Sequence, residues 1–261
     1  MASTWSFFVN QLKNFQLELL RRASRPLLEE TLAEKNEIPE YSGLAPIWTK
    51  VADGWPTLYP STFKHLRTTG FKPTSMLDLA CGTGRGTRFA VECWKTIVKV
   101  FGVDSSPDML SHFREFPELN VQLQCADMRS FRIESPVQLA ICIGDSMNYL
   151  PTIEDVGAVL KNVSASLEPG GYFLFDFEAR RSMERLDRTI THVGPYVIAY
   201  TWDVENEVCT GHTLFDNAVE RHTRYAYEPD TVTQLASRYD FEVMETLSDK
   251  TWDYFALRKL R

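Results

Sequence analysis

The chain has 261 residues, 44% hydrophobic and 24% charged, a balance that excludes disorder throughout and supplies enough apolar surface for a core without disulfide staples. Against 28 basic residues stand 35 acidic ones, a formal charge of −7, which disfavours nucleic-acid partners because such tracks set many Lys and Arg against phosphates. No stretch approaches the roughly 18 apolar residues of a membrane span. The five cysteines form no C-x-x-C pair and the histidines no H-x-x-H, so the expectation is a cytoplasmic protein with reduced thiols and no built-in metal site.

Residues 1–70 read as helical, broken at Pro26, Pro39, Pro46, Pro56 and Pro60. Near the start, Trp5, Phe7, Phe8, Leu12, Phe15, Leu19 and Leu20 recur at near-helical spacing among Lys13, Arg21, Arg22 and Arg25. A targeting peptide has that look, but the run continues into Glu29, Glu30 and Glu34, which such peptides avoid, so docked helices are expected.

From 71 to 178 short apolar runs alternate with helix patterns. Ser75–Ala80 is a strand ending in Cys81-Gly82-Thr83-Gly84, and a helix follows with Phe89, Ala90, Val91 and Trp94. Val98–Val103 is the second run, closed by Asp104. Ser106 then reads as an N-cap with Pro107 at the first helical position. Val121–Cys125 is the third run, closed by Asp127, and Val137–Ile143 the fourth, closed by Gly144-Asp145. Thr152 opens a helix with the apolar face Val156, Val159, Leu160, Val163 and Leu167, which Pro169-Gly170-Gly171 is expected to stop before the fifth run, Tyr172–Phe177.

Strands alternating with helices in this way predict a mainly parallel sheet with helices on both faces. Ligands of such sheets sit beyond the carboxyl ends of the strands, so Asp104, Asp127 and Asp145 are expected around one crevice. Gly82 and Gly84 let backbone pass close under a ligand. The dinucleotide fingerprint is not met, because its third glycine is Thr87 and Gly86 comes one residue early. Asp104, 22 residues after Gly82, stands where an acid accepts from ribose hydroxyls. Asp127 suits an adenine amine, with Met128 packed on the base.

The segments L-D-L-A-C-G-T-G (77–84), V-F-G-V-D-S-S-P-D-M-L (100–110), A-D-M-R (126–129), G-D-S-M-N-Y-L (144–150) and L-E-P-G-G-Y-F-L-F-D (167–176) resemble class I S-adenosylmethionine-dependent methyltransferases. The chain is most similar to their small-molecule branch, the glycine/sarcosine and amino-sugar N-methyltransferases. Ala80 departs from the family pattern, where glycine is usual. The resemblance covers about residues 41–261 and implies an α/β, Rossmann-like, seven-stranded, mostly parallel sheet. Residues 1–70 would be a helical N-terminal lid segment and 71–178 the cofactor-binding core. Residues 179–228 would be a β-rich insertion, either a substrate lid or a homodimer contact. Residues 229–261 would add a helix and the antiparallel hairpin that completes the sheet.

The implied cofactor is S-adenosyl-L-methionine. Asp78 would orient the turn and the methionine amino group. Ala80, Gly82 and Gly84 would line the methionine. Asp104 would hold the ribose, Ser105 and Met109 would flank the adenosine, and Asp127 and Met128 would meet the adenine. Gly144 and Asp145 would sit near the sulfonium and a small-molecule acceptor methylated on N or O. Asp145 and Tyr149 are the candidate catalytic groups. Tyr41, Trp202, His222 and Arg224 are the candidate acceptor contacts, Arg224 as a grip for a carboxylate, and Trp48, Trp55 and Tyr59 are further lid aromatics. Two other readings stay open: an RNA or protein methyltransferase, disfavoured by charge and by Gly144-Asp-Ser-Met in place of N-P-P-[FY], and a non-methylating enzyme or scaffold that binds the same cofactor.

Overall fold

A computed structural model describes residues 30, 32–53, 66–193 and 196–261. The amphipathic stretch before residue 30, Trp55 and Tyr59 lie outside them. The central sheet has seven strands: β2 (Ser75–Leu79), β3 (Lys99–Asp104), β4 (Asn120–Cys125), β5 (Val137–Cys142), β6 (Leu167–Glu178), β11 (Phe241–Ser248) and β12 (Trp252–Lys259). Their spatial order is β11-β12-β6-β5-β2-β3-β4. Strands β4, β3, β2, β5 and β6 run parallel, and β12 is antiparallel to both β6 and β11.

Alternation along the strands divides the core between two faces. Leu77, Leu79, Phe101, Val103, Ala140, Cys142, Phe173 and Phe175 pack on one side with Val156, Val159, Leu160 and Val163 of helix α4 (Ile153–Ser166) and with Val232 and Ala236 of helix α6 (Pro229–Ala236). Met76, Val100, Leu139, Ile141, Leu174 and Ala256 face the other side, against Ala90 of helix α2 (Arg85–Cys93) and Trp94 just after it. Period two in the strands therefore fixes which helix covers which face.

The helix starts follow the sequence. Ser106 Oγ accepts from Met109 N at 3.2 Å ahead of α3 (Pro107–Ser111), and Thr152 Oγ1 accepts from Asp155 N at 3.1 Å ahead of α4. One expected stop differs. Helix α4 already ends at Ser166, and Pro169-Gly170-Gly171 lies inside β6. There the pairing with β5 slips from Val137↔Leu167 to Leu139↔Tyr172. The glycines make a bulge in a strand rather than the end of a helix, with Gly170 at φ +80°.

The insertion builds a second sheet. Helix α5 (Arg180–Leu186) leads into β7 (Ile190–Val193), β8 (Tyr196–Asp203), β9 (Val208–Leu214) and β10 (Ala218–Tyr225), which are mutually antiparallel. A short strand β1 (Asn36–Ile38) adds parallel to β10. The helical reading of residues 1–70 is thus corrected at this point: Asn36–Ile38 is extended because β10 offers an edge, and helix α1 (Ala45–Asp53) begins only after the chain has crossed toward the central sheet.

Arg224 joins the two sheets. It reaches from β10 to Asp145 Oδ2 at 3.1 Å and to the Glu178 carboxylate at the end of β6, with Tyr200 under its guanidinium. Asn148 adds a neutral staple, donating to Tyr225 O at 2.9 Å and accepting from Glu178 N at 2.7 Å. Arg224→Met would leave two largely buried carboxylates without their cation. It is expected to cost about 3–5 kcal/mol of stability in a denaturant titration; a loss below 1 kcal/mol would show that the clamp carries no weight.

Candidate active site

A cavity of about 690 Å³ opens at the carboxyl ends of β2, β3, β5 and β6, and a smaller one of about 210 Å³ adjoins it; both are lined by Glu40, Ala80, Asp104, Ser105, Met128 and Tyr149. The floor is the turn after β2. Ala80 and Gly82 take φ +52° and +51°, and Gly84 caps α2 at φ +83°. A Cβ on Gly82 would stand 2.8 Å from Met109 Cε, so any side chain here would push the Met109 tip aside. Alanine at position 80 occupies the left-handed region at a cost glycine does not carry.

Carboxylates converge on this floor. Asp78, 1% exposed, accepts from Thr87 Oγ1 at 2.7 Å, and burial pushes its pKa up to about 7. Asp104 accepts from Gly82 N and from Ser106 N, each at 2.8 Å, and burial raises its pKa too. A carboxylate so held keeps acceptor capacity toward the cavity. Asp176, at the end of β6, accepts from Gly144 N at 2.9 Å and Asp145 N at 2.8 Å, and burial pushes it up to about 7.

The residues expected from sequence divide by position. Asp78, Ala80, Gly82, Asp104, Ser105, Met109, Met128, Gly144, Tyr41 and Tyr149 line the main cavity. Gly84 does not; it shapes the helix start, where a Cβ would meet the ring of Phe113 at 3.1 Å. Asp127 lines only the smaller cavity, and Arg129 closes on its carboxylate at 2.6–3.1 Å, holding its pKa below the usual range. Asp145, at φ +59°, is turned to Arg224, and its pKa is up at about 6 from burial. Trp202 lies in β8, its backbone N–H donating to Asp187 Oδ1 at 3.0 Å, and lines neither cavity. Arg224 is neutralised by Asp145 and Glu178 and does not line either cavity.

At the end of the cavity bounded by residues 39–48, Trp48 meets Tyr41 edge-on at 5.4 Å. Tyr41 Oη donates to Tyr149 Oη at 2.9 Å, and Tyr149 Oη lies 2.9 Å from His222 Nδ1. His222 Nε2 lies 2.6 Å from Glu220 Oε1. Sequence reading missed Glu220, which is 0% exposed. Its signal was the period-two series Glu220, His222, Arg224 on one face of β10. It also missed Asp176, and Trp252 and Tyr254 on the far wall. Tyr254 Oη, on a residue 7% exposed, has no hydrogen-bond partner among the described residues.

Residues 76–171 match the family model described as a methyltransferase domain. The chain is 30% identical over 230 residues to the Bacillus subtilis protein YqeM, whose name places it with the methyltransferases, covering 81% of this chain and 90% of that one. The chain belongs to the S-adenosylmethionine-dependent methyltransferases. A Streptomyces venezuelae dTDP-3-amino-3,4,6-trideoxy-alpha-D-glucopyranose N,N-dimethyltransferase is 37% identical over 100 residues, a match spanning 38% of this chain but only 40% of that enzyme. An S-adenosylmethionine-dependent methyltransferase from Clostridium acetobutylicum shares the fold with TM-score 0.66 at 20% identity, covering 85% of this chain and 99% of that one.

The donor set suits this cofactor. Buried acids answer its sulfonium and ammonium charges, and the glycine turn lets it lie close to the backbone. Among the described residues no group of His, Cys, Asp and Glu is placed to hold a metal ion, and no helix is long and apolar enough to cross a membrane. Ala80→Gly, which relieves the left-handed alanine, is expected to raise stability by about 0.5–1 kcal/mol in chemical denaturation; a destabilised variant would contradict the strain assigned to this turn.

Proposed function

We propose that this methyltransferase acts on N or O of a small molecule, with an amine or hydroxyl as the acceptor group and not a carboxylate. Lining charge carries the reading. Glu40, Asp78, Asp104, Asp108 and Asp176 line the main cavity, with Arg85 as the cation among the lining residues. Arg224, the natural grip for an acceptor carboxylate, is already held by Asp145 and Glu178. An anionic acceptor would meet repulsion in a partly desolvated space, and a cationic or neutral one would not. The amino-sugar dimethyltransferase among the relatives acts on an amine.

Bound over the glycine turn, S-adenosylmethionine supplies an electrophilic methyl group on a sulfonium. The residues proposed to hold it are Asp78 for the methionine amino group, Asp104 for the ribose, and Met109 and Met128 beside the adenosine. The Asp127 carboxylate would accept from an adenine amine while staying paired with Arg129. The remaining task of the chain is orientation. Tyr41, Trp48 and Tyr149 shape the acceptor end, so that the nucleophile is held in line while the lid excludes water. No side-chain nucleophile is needed.

Asp104→Ala is expected to weaken S-adenosylmethionine binding by about 2–4 kcal/mol in calorimetry, from lost charge-assisted hydrogen bonds and unpaired hydroxyls. With labelled cofactor, transfer to primary amines is expected to exceed transfer to di- and tricarboxylates at least tenfold. Preferential labelling of the carboxylates would overturn the acceptor assignment.

A further inference from the structure

Resting on the methyltransferase reading, we propose that His222, oriented by Glu220, takes up the proton of the methyl acceptor through Tyr149 and Tyr41, and that Glu220 makes this uptake conditional on lid docking. The phenols line the cavity, whereas the imidazole does not. His222 is 8% exposed; its ring stands edge-on to Tyr41 at 4.7 Å, and its hydrogen bond toward the acceptor end is the 2.9 Å contact with Tyr149. It therefore acts as a positioning residue for proton flow, not as a substrate contact.

Hydrogen-bond direction is set from the buried end. Glu220 Oε2 accepts from Gly43 N at 2.7 Å and from Leu44 N at 3.2 Å, and its other oxygen faces His222 Nε2 at 2.6 Å. A carboxylate that accepts at every contact places the imidazole proton on Nε2 and leaves Nδ1 as the acceptor for Tyr149. Tyr41 in turn donates to Tyr149. The Tyr41 oxygen keeps lone pairs for an N–H or O–H of the acceptor. When that bond breaks, its electron pair stays on the acceptor atom as the nucleophile. The proton passes to Tyr41 as the Tyr41 proton moves to Tyr149 and the Tyr149 proton to Nδ1. The imidazolium so formed is paired with the Glu220 carboxylate.

The charged and titratable groups facing His222 are Glu40 and Tyr41 from the lid, Asp145 and Tyr149 from the loop after β5, and Glu220 and Arg224 on its own strand. Burial pushes Tyr41 and Tyr149 well above the ordinary phenol range, so both carry protons and neither is the base. Tyr41 also sits at φ +63°, a left-handed strain for an aromatic residue that the surrounding contacts must hold. Those contacts include the two backbone N–H groups on Glu220. The same carboxylate thus anchors the lid and steadies the imidazole.

The test uses the full chain. With 15N-labelled histidine, NMR is expected to show neutral His222 protonated on Nε2; a ring protonated on Nδ1 could not receive the Tyr149 proton and would overturn the proposal without any acceptor in hand. Labelled-methyl transfer is then followed with ethanolamine, glucosamine and tyramine as probes. For His222→Gln, S-adenosylhomocysteine affinity is expected to stay within about twofold while turnover at pH 7 falls about 100-fold. The deficit should shrink at least tenfold by pH 9.5, where the amine loses its proton in solution. An equal deficit at both pH values would mean that His222 only packs. Absence of S-adenosylhomocysteine binding by the unaltered chain would instead sink the underlying methyltransferase reading.

Discussion

Burying carboxylates is expensive, and this fold does it repeatedly at one place. Asp78, Asp104 and Asp176 lie at or near the carboxyl ends of three strands of the central sheet and face one cavity. Backbone amides and one threonine supply hydrogen bonds, yet burial still drives these acids toward their neutral forms. The arrangement is costly when empty and becomes favourable when a compact cation enters. A sulfonium that also carries an ammonium and a ribose is such a ligand, and the left-handed turn from Ala80 to Gly84 brings the backbone close enough to receive it.

The second sheet answers a different need. It brings a buried Glu–His–Arg face against the open end of the first. Arg224 neutralises the acids near the loop after β5, and Glu220 and His222 connect to the phenols of Tyr149 and Tyr41. One end of the cavity is thus lined by acids and the other by phenols backed by His222 and Glu220. The lid joins both, because its Gly43 and Leu44 amides dock on the carboxylate that orients the imidazole.

Much of the core was legible because its signals are local. Strand runs closed by Asp104, Asp127 and Gly144, the Ser106 and Thr152 caps, and the glycine turn each depend on a few neighbouring residues, and the structure has all of them as expected. What sequence concealed was pairing at a distance. Nothing near Asn36–Ile38 announces a strand until β10 lies beside it. Pro169-Gly170-Gly171 reads as a stop because a bulge inside a strand carries the same residues. Arg224 looks like an open cation until Asp145 and Glu178, 79 and 46 residues away, take both sides of it. Asp127 looks like an open acceptor until Arg129 folds back on it. Glu220 escaped notice because its one local sign, the period-two series with His222 and Arg224, does not say what it meets; its meaning comes from the Gly43 and Leu44 amides and from His222.

The decisive measurement is the proton balance of cofactor binding. Calorimetric titration of S-adenosylmethionine at pH 6.5, in buffers of different ionisation heat, counts the protons exchanged. With Asp78 and Asp176 raised to about 7 before binding, a cation beside them must lower both, so binding releases protons and tightens as pH rises from 6 to 8. Binding with no proton release, and with an affinity that does not change over that range, would show that these acids are not what the cofactor meets.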